Sequence, residues 1–159
     1  MKSKTKSTII LLAGLLLITS CSESVKTGPT STPDPLLMTL SERAIWEFDN
    51  FRNEVNGLAA AAATTPAEDL EPIIKQMTAL KEEIQGCDFP LSASQAHSAL
   101  LNFALFTEQC YFGKYAGYLA EISGHESMIG SDDRCNQALI YEETLDLYLQ
   151  ELKEMNTED

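Results

Sequence analysis

Residues 92–122 read SASQAHSALLNFALFTEQCYFGKYAGYLAEI, and the fold follows from what this stretch must do. It contains no proline and is long enough for eight helical turns, about 46 Å at 1.5 Å per residue. Phe103, Phe106, Tyr111, Phe112, Tyr115 and Tyr118 lie in it, half of the aromatic residues of the chain. Apolar residues point to nearly every side, the pattern of a helix with several neighbours. Ser92-x-x-Gln95 has the form of a capping box, and Gly124 stands ready to stop the helix just past Ile122. At steps of four and three, His97, Leu101, Ala104, Glu108, Tyr111, Tyr115, Tyr118 and Ile122 share one seam. Two ionisable side chains, His97 and Glu108, thus fall on an otherwise apolar and aromatic line.

A helix so apolar needs partners, and the chain on either side supplies three. The first is expected from Leu40 to Ala63. Thr39-x-x-Glu42 forms a capping box, and Leu37, Leu40, Ala44, Phe48, Phe51, Val55, Leu58 and Ala62 make its apolar line. Trp46 points off that line. Asn56-Gly57 offers a left-handed stop, but Leu58 to Ala63 are good helix formers in phase, so the helix is expected to run through. The second opens at Thr65-Pro66-Ala67-Glu68, with a capping box and a proline at the first helical position. Its stripe is Leu70, Ile73, Ile74, Met77, Leu80, Ile84 and Cys87, ended by Gly86 and Pro90. The last is expected from about Asp132 to Met155, with Ala138, Tyr141, Leu145, Tyr148, Leu152 and Met155 inward. No period-two run argues for a strand. The expected fold is all-α, an antiparallel up-down four-helix bundle over residues 39–157 behind a disordered N-terminal tether.

The N-terminal part is of another kind. Lys2, Lys4 and Lys6 precede an apolar run from Ile9 to Ile18, too short to span a ~30 Å hydrocarbon layer. Ile18-Thr19-Ser20-Cys21 follows, and it resembles the lipobox of bacterial lipoproteins, a likeness confined to residues 1–21. The resemblance implies that residues 1–20 are a signal peptide and that Cys21 becomes the first mature residue and carries the lipid. It implies a membrane partner held through that lipid. Several acyl chains are needed because one binds a membrane only marginally. Ser22, where aspartate often marks inner-membrane retention in the Gram-negative members, favours the outer membrane there, and otherwise the outer face of the plasma membrane. Residues 21–38 hold the lipidated cysteine and a linker rich in Pro, Ser and Thr, which buries too little to order itself and reaches ~20 Å on average.

Charge narrows the partners. Without residues 1–20 the remaining 139 residues carry 8 basic and 24 acidic side chains, a net charge of −16. Nucleic acid needs Lys and Arg to displace counterions, so it is not an expected partner, and neither is an anionic lipid surface. Solubility accounts for such a charge, and so does attraction to cations or to a basic partner.

Three cysteines remain besides Cys21. Matching the lower ends of helices 3 and 4 places Cys135 about level with residue 112, within a turn of Cys110, and leaves Cys87 at the far end of the bundle. A Cys110–Cys135 disulfide with Cys87 free is expected in an oxidising compartment. Three reduced thiols are the alternative if the compartment is reducing.

Chemistry-bearing residues are few. Glu108, Tyr111 and Tyr115, with Glu142 beside the helix 4 seam, define either a polar pocket for a cation or amine ligand, or carboxylates satisfied internally by tyrosine hydroxyls. His97 lies too far along the helix from Glu108 for a dyad. His125, Met128 and Cys135 are ligand types that soft copper accepts, gathered in one short window. No Cys-x-x-Cys-His, paired Glu-x-x-His, nucleophile elbow or phosphate loop occurs, so no cofactor and no catalytic group is expected. Two functions fit: a non-catalytic helical interaction or structural module of the cell envelope, or a lipid-anchored extracytoplasmic binder of a metal cation or small ligand.

Overall fold

A computed structural model of the chain describes residues 38–125 and 131–156. The signal segment, Cys21, the rest of the tether before Met38, Leu37 and Met128 lie outside the described residues. Four α-helices follow one another: α1 Leu40–Thr64, α2 Glu71–Gly86, α3 Ser94–Ile122 and α4 Ser131–Met155. No strand is present among the described residues.

Named side-chain pairs fix the topology. Down α2 and up α3, Glu71 meets Tyr115, Thr78 and Lys81 meet Glu108, and Ile84 meets His97, so the two run antiparallel. Between α3 and α4, Cys110 joins Cys135 and Phe106 stacks on Tyr141, again antiparallel. Between α1 and α4 the pairs are Asp49 with Lys153, Arg52 with Asp146 and Asn56 with Glu142. The order is up, down, up, down, and α3 packs most extensively on α4 and then on α2. This is the expected antiparallel bundle.

Local sequence explains the start of α1 and the end of α3. Thr39 accepts from the Glu42 amide (3.1 Å) while Glu42 accepts from the Thr39 amide (2.8 Å), a complete capping box. These bonds favour the ionised Glu42 and hold its carboxyl below the usual range, the backbone bond at Thr39 contributing most. At the end of α3, Gly124 takes φ +70°. His125 N–H reaches back to Ala120 (2.9 Å) and Gly124 N–H to Glu121 (3.1 Å), the Schellman closure that glycine permits. α1 continues through Asn56-Gly57 to Thr64, as its phase requires.

Two expected caps are absent. The Thr65 hydroxyl donates back to Ala61 (2.8 Å) and closes α1, a short 3₁₀ turn occupies Ala67–Asp69, and α2 begins only at Glu71 with Pro72 in its first turn. Ser92 lies inside a 3₁₀ turn over Leu91–Ala93, whose bond from Ala93 N–H to Pro90 (2.8 Å) comes first, so the Ser92–Gln95 box does not form.

Two contiguous clusters make the core. The larger joins Phe48, Val55, Ile84, Leu100, Phe103, Leu145, Leu149 and Leu152, with Phe89 stacked on Phe48 at 4.3 Å. The smaller gathers Ala62, Leu70, Ile74, Met77, Cys110 and Tyr111 where α1, α2 and α3 meet. Trp46 is half-buried. The ends of the expected stripes are wet: Leu40 is 77% and Met155 54% exposed. Leu149, absent from the expected α4 line, is buried.

Candidate functional site

Glu108, Tyr111 and Tyr115 stand on α3 and Glu142 on α4, and their polar ends diverge. Glu108 turns toward α2, where the Thr78 hydroxyl donates to Oε1 (2.6 Å) and the Lys81 ammonium pairs with Oε2. Both members of the Lys81–Glu108 pair are largely covered, with 21% and 15% of their side chains exposed. A charge pair in such a place holds helices in register more than it adds net stability, because desolvation offsets the attraction. Tyr111 turns toward α1, and its hydroxyl donates to the Ala59 carbonyl (2.9 Å). Burial pushes its phenol above the ordinary tyrosine range. Tyr115 reaches the start of α2, where its hydroxyl donates to Glu71 (3.4 Å). Partial desolvation, then the Glu71 charge, raises its pKa. Glu71 itself is held low by Lys75, one turn on, at 2.6 Å.

Glu142 faces the other way. It accepts from the Asn56 amide of α1 (2.7 Å) and shares no partner with Glu108. The two carboxylates therefore serve two helix junctions, α2–α3 and α1–α4. Each tyrosine hydroxyl donates elsewhere, so the donors to Glu108 are Thr78 and Lys81 rather than tyrosines. Sequence reasoning missed Lys81, Thr78 and Asn56. The signal was available, since an antiparallel α2–α3 pairing that sets Glu71 beside Tyr115 brings Lys81 to the level of Glu108.

His97 is half-buried against Phe89, with ring centroids 4.9 Å apart. Its Nε2 lies 2.8 Å from the Ile84 carbonyl, and since a carbonyl only accepts, Nε2 carries the proton. It ties the end of α2 to the start of α3 as a structural histidine.

Cys110 and Cys135 are joined, with Cα atoms 4.8 Å apart, while the Cys87 thiol at the end of α2 lies 3.3 Å from the Glu83 carbonyl. This is the expected pairing, and it bears on the copper set, whose Met128 lies outside the described residues. Cys135 has no thiolate to offer a metal, so His125, exposed past the α3 cap, loses that partner. Among the described residues no three His, Cys, Asp or Glu side chains cluster as a metal site. Among the same residues no helix is long and apolar enough to cross a membrane.

Thr107, also overlooked in the sequence, is the buried polar residue of α3. It is 3% exposed, and its hydroxyl has no hydrogen-bond partner among the described residues. No family model matches the chain, and neither a curated protein nor a solved structure matches it.

Proposed function

We propose that this is a lipid-anchored bacterial lipoprotein whose helical body is a non-catalytic interaction or structural module of the cell envelope. The observation that carries the anchoring is Ile18-Thr19-Ser20-Cys21, set behind three lysines and a short apolar run. The interaction role draws support from the outer face of α4, where Leu139, Ile140 and Leu147 stand 58–63% exposed. Large apolar side chains grouped on one outer face of a small domain favour contact with another protein. The engagement of Glu108 and Glu142 with internal donors supports a module over a ligand pocket.

Two measurements test the reading separately. In cells fed radiolabelled palmitate the chain becomes labelled and Cys21→Ala does not. Equal membrane retention of the two forms removes the lipoprotein assignment. Crosslinking in intact membranes, followed by solubilisation, yields adducts with an envelope protein. A thermal midpoint that rises with a metal ion and falls with chelator, with no adduct, favours the cation-binding alternative instead.

A further inference from the structure

The two most exposed large apolar side chains among the described residues are Leu91, at 93%, and Leu40, at 77%. Both stand at the same end of the bundle. Leu40 opens α1, and Leu91 lies in the 3₁₀ turn that leads into α3. Met155, also exposed, closes α4 at that end. Two contacts bring these termini level. Phe89, just before Leu91, stacks on Phe48 at 4.3 Å, and Lys153, just before Met155, pairs with Asp49 at 3.6 Å. Leu40, Leu91 and Met155 belong to neither core cluster.

The same end is where the tether attaches. Residues 21–37 join the body just before α1, so a lipid on Cys21 is fastened to the end that carries these side chains. Single exposed leucines are ordinary. Three large apolar side chains gathered where an anchor enters are what a body resting on a bilayer needs. The Thr39–Glu42 capping box and the bond from Ala93 N–H to Pro90 also occupy backbone groups there that apolar surroundings would otherwise leave unpaired. Glu42, Asp88 and Glu154 are exposed close by, which sets the kind of lipid: a zwitterionic surface fits, and an anionic one repels.

We infer that the body rests end-on on a zwitterionic bilayer surface, with Leu40, Leu91 and Met155 among the headgroups and the helices standing out from it. The tether makes this contact intramolecular, at an effective concentration on the order of millimolar, so a shallow apolar contact suffices to hold it. The exposed face of α4 then looks sideways, toward neighbouring proteins of the same membrane. The inference rests on the lipid anchor proposed above and adds to it which end of the body faces the bilayer.

Trp46, the one tryptophan of the chain, reads the contact. It lies about 9 Å of helix beyond Leu40, and a headgroup layer is roughly 5–8 Å deep, so in the resting body Trp46 sits at the outer edge of the headgroups. The chain isolated from envelopes is placed sparsely in phosphatidylcholine vesicles, with and without a phosphatidylcholine whose headgroup carries a nitroxide quencher. Trp46 fluorescence is quenched. Leu40→Ser with Leu91→Ser keeps the melting temperature, since neither side chain is in the core, and lowers the quenching by at least about half, because binding scales with the apolar area buried. Leu119→Ser with Ile122→Ser, exposed at the far end of α3, leaves it unchanged, and anionic phosphatidylglycerol lowers it. Palmitate-labelled protein whose quenching is absent, or indifferent to Leu40 and Leu91, overturns the inference and leaves the anchor standing. Equal losses in the two double variants do the same. A photo-crosslinking residue at position 91 that captures a protein in membranes, with no quenching in pure lipid, gives this end to a protein partner and overturns it too. Protein that takes up no palmitate removes the anchor and the inference together.

Discussion

Removing the Cys110–Cys135 bond is the perturbation whose size the structure fixes best. The linked positions are 25 residues apart, so the bond withholds chain freedom from the unfolded ensemble worth about 3.5 kcal/mol at 25 °C. The double variant Cys110→Ala, Cys135→Ala loses that amount, plus a smaller packing loss at Cys110, which is 4% exposed. Urea unfolding followed by far-ultraviolet circular dichroism reads it directly. With a slope of roughly 1–3 kcal/mol per molar, the midpoint falls by about 1.2–3.5 M. Wild-type protein in strong reductant should unfold near the double variant, because reduction breaks the same Cys110–Cys135 bond. A loss below about 1 kcal/mol would show that the bond constrains little beyond what packing already holds. A double variant weakened further by reductant would refute the pairing itself.

Two other outcomes are expected. Thr107→Val keeps the shape of a side chain whose hydroxyl has no partner among the described residues, and it should stabilise the body by about 1 kcal/mol, measured as a raised melting temperature. Tyr111 has its folded pKa raised by burial, so its contribution is whole below the ordinary tyrosine pKa and is lost as pH rises through the folded value. Tyr111→Phe, followed by melting against pH, should cost about 1 kcal/mol at neutral pH through the lost bond to Ala59 and flatten the alkaline decline.

The sequence announced four helices because their stripes are regular and long, and Thr39 and Glu42 marked the first start without ambiguity. It placed Cys135 near Cys110 because helix lengths and antiparallel order leave little freedom. It misjudged the rotation of α3. With apolar side chains all round, the periodicity has no preferred direction, and two seams one residue apart read almost equally well. The line through His97, Leu101, Ala104 and Glu108 borders α2, while the deepest line runs through Ala96, Leu100, Phe103, Thr107 and Cys110. That shift separates Glu108 from Glu142. The starts of α2 and α3 were obscured for another reason, since the Thr65 hydroxyl turns back to Ala61 and a 3₁₀ turn comes ahead of each helix, over Ala67–Asp69 and Leu91–Ala93.

The bond between α3 and α4 also governs what a protease can accomplish. It closes the chain between residues 110 and 135 into a loop, and that loop contains the whole link between the last two helices. A single nick anywhere inside opens the loop without freeing either piece. α4 stays fastened to the rest until an electron donor arrives, so release of the C-terminal helix takes two events, a cut and a reduction.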